Sequence, residues 1–228
     1  LCHHFILGDI TNYEDVIRFG EGLDVITIEI ENVNVDALFE LEKRGCRIIP
    51  KPAALRTIKN KILQKEFYTQ HEIPTASYKV LQNREQLKNN IDFLPAVHKL
   101  ATGGYDGKGV RILESLDQAN DIEDTPCLVE QKIDIALELA VLTVRDRSGN
   151  VRCYSPCLMQ FDPQANLVSR VMAGSVEAIE AWLPSPLQKM AQEMAAAVAA
   201  GLGTVGVLAV EFLLDTRGRL WVNESAPR

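Results

Sequence analysis

Pro95-Ala-Val-His-Lys-Leu-Ala-Thr-Gly-Gly-Tyr-Asp-Gly-Lys-Gly-Val-Arg-Ile-Leu113 is the stretch whose reading decides the fold. An apolar run carrying Lys99 enters a loop with glycines at 103, 104, 107 and 109, and Val110 to Leu113 leads out, which predicts two strands joined by a flexible flap. Glycine lets backbone N–H groups turn towards phosphate oxygens without Cβ clashes, and Lys99 and Lys108 supply positive charge, so the flap suits a polyphosphate. Two better-known phosphate loops are excluded. The Walker pattern needs glycine where Thr102 stands and Ser or Thr where Gly109 stands, and G-x-G-x-x-G needs glycine at Ile112. Glycine-rich hairpins also serve as plain surface loops, so the flap by itself assigns no function.

Composition narrows the class. A chain of 228 residues with 46% hydrophobic content buries a real core, as one large domain or two small ones. A net charge of −7 with charges of both signs interspersed, and no basic run, argues against a nucleic-acid or membrane partner. No apolar run approaches a membrane span and nothing at the start resembles a signal peptide, so a cytoplasmic location is expected. Cysteines 2, 46, 127, 153 and 157 are odd in number, three of them inside apolar runs, which favours free thiols over disulfides. Cys153 and Cys157 have no His or Cys nearby at zinc spacing.

From the start, Phe5 to Leu7 reads as a strand, Asn12 caps a helix, and Asp24 to Ile30 reads as a second strand. Asp36 opens a helix ending near Gly45, and Arg47 to Ile49 is a third strand stopped by Pro50 and Pro52. This alternation predicts a parallel sheet. Such sheets usually open with a strand and a glycine-rich turn. Residue 1 is Leu and nothing precedes Phe5, so the chain is expected to be truncated. In the middle strand Val25, Thr27, Glu29 and Glu31 share a face, with two carboxylates near the carboxyl end where open parallel sheets bind ligands. Leu55 to Gln70 reads as one amphipathic helix bearing Lys59, Lys61 and Lys65. A strand at Tyr78 to Leu81, a helix from about Arg84 to Asn89, the flap, and a strand at Cys127 to Val129 make a small α+β unit.

An adenine ring needs an apolar slot with a backbone donor and acceptor, and Glu130 to Ile133, where a strand ends at a linker, fits. Glu138 shares a face with Ala136, Ala140 and Leu142, a costly place for a carboxylate without a lysine or ribose hydroxyl pair. Ser185-Pro186 starts an alanine-rich helix with Leu187, Met190, Met194 and Val198 as its stripe, running to Gly201. The hairpin Val205 to Leu214, Asp215 to Gly218, Arg219 to Asn223 follows. If its loop is even in length, residue 211 pairs with 222, and Glu211 and Glu224 become diagonal neighbours on one face. Two such carboxylates repel, and magnesium shared with phosphates is the natural compensation. Asn223 would then face the other way unless the strand bends.

Thr102-Gly-Gly-Tyr-Asp-Gly-Lys-Gly109, Thr27-Ile-Glu-Ile-Glu-Asn-Val33, Glu130-Gln131 and Asn223-Glu-Ser-Ala-Pro-Arg228 closely resemble the N5-carboxyaminoimidazole ribonucleotide synthetase family of ATP-grasp enzymes. The resemblance implies an α+β ATP-grasp fold over 54–228, with a flap subdomain at about 76–130 and a larger one at about 131–228. A partial parallel α/β, Rossmann-like domain over 1–53 would precede it. It implies ATP and Mg2+ as cofactors. ATP contacts would come from Lys61, Lys99, Gly104, Tyr105, Asp106, Gly107, Lys108, Gly109, Val110, Glu130, Gln131, Lys132, Ile133, Glu138, Asn223 and Glu224. Glu211 and Glu224 would hold the metal, Glu29, Glu31, Tyr105 and Asp106 would face the aminoimidazole ribonucleotide, and Arg228, Lys99 and Asp106 would be catalytic. The implied reaction is carboxylation of that ribonucleotide: bicarbonate attacks the γ-phosphate of ATP to give carboxyphosphate, whose breakdown releases CO2 beside the amine. A homodimer is implied too. The sequence departs from the family by lacking its glycine-rich opening and whatever follows Arg228, and by reading Cys157-Leu-Met-Gln-Phe-Asp162 where many members carry Asn and His. These departures lead to the expectation that this piece binds Mg-ATP but shows at most slow bicarbonate-dependent ATP hydrolysis that aminoimidazole ribonucleotide does not stimulate. Another carboxylate–amine ligase of the same fold, and a nucleotide-binding module without chemistry, stay open as alternatives.

Overall fold

The computed structural model describes residues 2–104, 109–162 and 167–228, and its strands fall into three sheets. In the first, α1 (Tyr13–Gly20), β1 (Val25–Thr27), α2 (Val35–Lys43) and β2 (Arg47–Ile49) alternate, and β1 pairs β2 in parallel as the alternation predicts. Asn12 and Asn34 cap the helices by accepting hydrogen bonds from the backbone N–H groups of Asp15 and Ala37. Val16, Ile26, Leu38, Leu41, Ile48 and Leu55 form this unit's core. Two expectations fail here. The strand expected over Asp24 to Ile30 ends at Thr27, and Phe5 to Leu7 is no strand, with Phe5 81% and Leu7 86% exposed. Pairing is what makes an apolar run a strand, and among the described residues β1 is paired only by β2.

The single helix expected over Leu55 to Gln70 is two: α3 (Pro52–Lys59) and α4 (Lys61–Gln70). Asn60 breaks them apart with extended backbone, and its side chain accepts from the N–H groups of Ile62 and Leu63. A side chain that caps a new helix competes with continuing the old one. α3 spans the boundary expected at 53/54, since Leu55 packs into the N-terminal core and Ile58 into the large one.

The flap unit is an antiparallel sheet, β3 (Tyr78–Leu81), β4 (Ala96–Leu100), β5 (Val110–Leu113) and β6 (Cys127–Gln131), in the order β3-β6-β4-β5. The helix expected over Arg84 to Asn89 is a 3-10 run, Arg84–Phe93, kinked at Asn90. One face of this sheet buries Ala96, Leu113 and Val129 against Leu87 and Ala119. The other carries Lys99 and Glu130.

The largest sheet holds β7 (Ile135–Arg145), β8 (Val151–Cys153), β9 (Cys157–Asp162), β10 (Leu167–Met172), β11 (Gly206–Asp215) and β12 (Leu220–Pro227), in the order β10-β9-β7-β11-β12 with β8 beside β7. A short helix, α5 (Val176–Glu180), precedes α6 (Ser185–Gly201), whose bounds match the expectation. Its buried face is Ala191, Ala195, Val198 and Ala199, whereas Met190, expected in the stripe, is 47% exposed. Val198, Leu187 and Met194 of the expected stripe do pack into or against the core, beside alanines whose small side chains let helix and sheet approach closely. At Gly201 a Cβ would come within 2.9 Å of Phe67 Cζ, so the end of α6 abuts α4. All five cysteines are free thiols. Among the described residues no helix is long and apolar enough to cross a membrane.

Candidate active site

The site starts from an irregularity in β12. Its pairing with β11 runs Leu214↔Leu220, Leu213↔Trp221, Phe212↔Val222 and then Glu211↔Glu224, leaving Asn223 as an extra residue. The expected pairing of 211 with 222 is corrected: the two glutamates are directly opposite one another. Regular alternation after the buried Val222 would turn residue 224 to the core. The bulge instead leaves Asn223 and Glu224 half-buried in succession and returns Ser225 to the core, which is how bulges re-aim side chains. Burial, with the charge of Glu224 behind it, raises the Glu211 carboxyl to about 7, against the opposing pull of Arg228 and Lys61. Burial also works against an ionised Glu224, but Lys61 and Lys99 outweigh it and hold Glu224 below the ordinary range.

Lysines from two other elements meet this pair. Lys61, at the start of α4, lies 2.6 Å from Glu224 Oε2, and Lys99, on β4, donates to Asn223 Oδ1 at 2.7 Å. Lys99 also sits 3.0 Å from Glu130 Oε1 on β6, and Lys65, one turn along α4 from Lys61, lies 3.0 Å from Glu130 Oε2. Glu130 is buried, which alone would raise its carboxyl, yet the two lysines hold it below the usual range. Burial pulls Lys65 down to about 8 despite Glu130. Lys65 Nζ donates to Thr75 Oγ1 (2.7 Å), and that hydroxyl donates to the carbonyl of Val222 (2.7 Å). The seam between the two larger sheets thus carries a chain of alternating charges, Glu224–Lys61 and Lys65–Glu130–Lys99, while Glu211 has no ion-pair partner among the described residues.

Beside the seam, Gln131, Lys132 and Ile133 line a cavity of about 270 Å³ with Asp134, the Asp215 turn and Trp221. The turn is rigid. Burial works against an ionised Asp215, but the carboxylate accepts from the N–H groups of Arg217 and Arg219, Arg219 Nε and Trp221 Nε1, which bring it down to about 2. Lys132 pairs with Glu114 at 2.8 Å. Glu138, level with Leu213 on β7, has its carboxyl raised by burial, with Lys99 opposing.

The other expected site residues divide. Gly104, Gly109 and Val110 are described at the flap's ends. Gly109 has φ +79, and a Cβ there would lie 2.9 Å from Leu100 Cδ1, so glycine is needed on both counts. Tyr105, Asp106, Gly107 and Lys108 lie outside the described residues. Arg228 follows β12, its N–H bonded to Val207 O and its charge acting on Glu211. Glu29 and Glu31 do not share a strand face, because β1 stops at Thr27; Glu29 is exposed and lines an N-terminal cavity, whereas Glu31 is half-buried and its charge reaches Lys61. Sequence reasoning left out Lys65, Gln64, Tyr68, Thr75 and Ser225 as site residues. The one available signal was Lys65 four residues after Lys61, on the same helix face.

With this geometry in hand, comparison with known proteins has a definite outcome. The pattern of the ATP-grasp domain matches residues 66–228, and that of the ribonucleotide synthetase preATP-grasp domain matches residues 1–59. The chain belongs to the ATP-grasp family. Within that family it is similar to N5-carboxyaminoimidazole ribonucleotide synthase of Synechococcus elongatus, at 32% identity over 229 residues, covering 98% of this chain and 56% of the relative. The carboxyaminoimidazole ribonucleotide synthase of Aspergillus clavatus complexed with ATP superposes with a TM-score of 0.88 at 26% identity, covering 98% of this chain and 59% of that one. A second structure from that organism, in complex with ADP and 5-aminoimidazole ribonucleotide, gives 0.80 at 25% identity, covering 96% and 57%. The chain spans a little over half the length of these relatives.

Proposed function

We propose that the chain serves an ATP-dependent ligase that carboxylates 5-aminoimidazole ribonucleotide with bicarbonate, through carboxyphosphate, in purine biosynthesis. The observation that carries this is the convergence, at one β-bulge, of the directly opposed Glu211 and Glu224, Asn223, Lys61 and Lys99. It is supported by the relatives' names and by the ATP and ribonucleotide complexes.

In this reading ATP lies between the two larger sheets. Adenine takes the cavity beside Gln131 to Ile133, Glu138 meets the ribose, and Lys61, Lys99 and the flap from Gly104 through Tyr105, Asp106, Gly107 and Lys108 to Val110 hold the phosphates. Glu211 and Glu224 fit a magnesium ion: they are directly opposed, oxygen-only ligands, and burial with the charge of Glu224 raises the Glu211 carboxyl, a cost that a cation would offset. Among the described residues no third His, Cys, Asp or Glu joins them, so phosphate oxygens and water would complete the shell. Bound there, magnesium would neutralise charge on the phosphates. Lys99 supplies fixed positive charge as charge builds on the transferring phosphoryl group, and Asn223 fixes the lysine's direction. Closure of the flap would exclude water from a labile carboxyphosphate. Glu29, Glu31, Tyr105 and Asp106 would bind the ribonucleotide, with Arg228 near the carboxylation centre. Division into 1–53 and 54–228, a cytoplasmic location and a homodimer belong to the same proposal.

A ligand that binds only the folded chain stabilises it by about 2.7 kcal/mol at a hundredfold excess over Kd. Saturating Mg-ATP should therefore raise Tm, and 5-aminoimidazole ribonucleotide should raise it further. ADP release that needs both bicarbonate and the ribonucleotide, with carboxylated product, identifies the reaction. A melting curve unmoved by Mg-ATP overturns the reading.

A further inference from the structure

The bulge that aims Asn223 and Glu224 is held by neutral groups, from Gln64, Tyr68 and Ser225. Ser225, the residue after Glu224, is buried on the core face of β12. Its N–H donates to Gln64 Oε1 at 2.9 Å, and its hydroxyl shares a 2.7 Å hydrogen bond with the hydroxyl of Tyr68. Tyr68 donates to the same Gln64 Oε1 at 2.6 Å, and Gln64 Nε2 is tied to the carbonyl of Ile58 at 2.6 Å. Gln64, Tyr68 and Ser225 are 5%, 0% and 3% exposed, so water cannot replace these bonds. Gln64 and Tyr68 stand one turn apart on α4, the helix that also carries Lys61 and Lys65.

A bulge has a competitor in the regular strand, one register step away, which would exchange the faces of residues 224 and 225. In that alternative Glu224 would enter the apolar core, and both Gln64 Oε1 and the Tyr68 hydroxyl would lose Ser225. From this geometry we infer that Gln64 and Tyr68 are positioning residues: acting through Ser225, they lock the strand in its bulged register and so hold Glu224 opposite Glu211 and Asn223 against Lys99. One helix thereby carries Lys61 and Lys65 and sets the carboxylate of Glu224. The inference rests on the proposed role of Glu211 and Glu224 as metal ligands.

The test measures the Mg2+ concentration that half-saturates binding of a fluorescent ATP analogue, in wild type, Tyr68→Phe, Gln64→Leu and, as a control for lost stability, Val198→Ala in α6. Groups that orient ligands from behind typically change metal affinity 10–100-fold when removed. Tyr68→Phe and Gln64→Leu should each raise the Mg2+ midpoint by about tenfold or more, and Val198→Ala should leave it unchanged. An unchanged midpoint in both variants, or the same shift in the control, overturns the inference. If wild type takes up no Mg-nucleotide, the metal-site reading is what has failed. Hydrogen exchange over residues 222–226 then decides the positioning claim: acceleration in Tyr68→Phe but not in Val198→Ala upholds it, and equal rates in the two refute it.

Discussion

Two carboxylate pairs can be compared in this chain, Glu29 with Glu31 and Glu211 with Glu224. Each combines glutamates that the sequence pattern predicts to share one face. The first pair lies past the end of a three-residue strand, one member exposed and lining the N-terminal cavity, the other half-buried with its charge reaching Lys61. The second faces across a ten-residue strand and its partner, half-buried, with Lys61 2.6 Å away and Lys99 acting on it. Shared spacing does not make a site. Exposed carboxylates in water interact weakly, whereas burial multiplies the same charges' effect on one another and forces compensation.

The largest effect should come from breaking the compensation. Glu130→Ala leaves Lys65 and Lys99 facing each other without their shared carboxylate, and removing one partner of a buried ion pair costs about 3–5 kcal/mol. Chemical denaturation should show that loss; a cost below about 1 kcal/mol would mean water reaches the seam.

Glu211→Gln tests the second pair. A carboxyl whose folded pKa is raised binds more protons folded than unfolded, so its contribution to stability is lost as pH rises from its unfolded value near 4.5 through about 7. Relative to Glu211→Gln, wild type should lose about 2 kcal/mol between pH 5 and 7 without magnesium. Magnesium with nucleotide should restore wild type and leave the variant unmoved. Parallel pH curves for the two proteins would refute the assignment.

A smaller effect of opposite sign comes from the flap unit. His98 is 3% exposed, its Nε2 has no hydrogen-bond partner among the described residues, and burial, with Arg111 beside it, lowers it to about 4. A histidine depressed in the folded state loses stability as pH falls from 6.5 towards 4. Between pH 6 and 5 wild type should lose on the order of 1 kcal/mol relative to His98→Leu. Identical acid limbs would show that the ring reaches water.

The smallest effect belongs to the first pair. Glu29→Gln should change stability by less than about 0.5 kcal/mol, as at most exposed positions. If Glu29 binds the ribonucleotide as proposed, the same variant should weaken the Tm rise produced by 5-aminoimidazole ribonucleotide and spare that produced by Mg-ATP.

The sequence by itself determined the elements whose causes are local. The cap at Asn12, the helix start at Ser185-Pro186, the parallel alternation up to Ile49, the glycines that open a flap and the apolar strands around Lys99 and Glu130 follow from residues within a few positions of each other. It also determined the family resemblance, because the flap and the Asn223-Glu224 pair are contiguous motifs. The tertiary structure decided what depends on distant partners. Phe5 to Leu7 has strand residues but no strand, since pairing comes from elsewhere in the chain. Met190 has the helical spacing of the core but faces water, because α6 turns its alanines to the sheet. An even loop over Asp215 to Gly218 predicts 214 opposite 219 and 211 opposite 222, but the turn pairs Leu214 with Leu220 and the bulge at Asn223 adds a second one-residue shift, a bulge that answers to Gln64 and Tyr68 some 160 residues earlier. Lys65 reads as a solvated helical lysine until β6 brings Glu130 against it. A register shift or a buried ion pair depends on the sum of contacts around it, and no local pattern carries that sum.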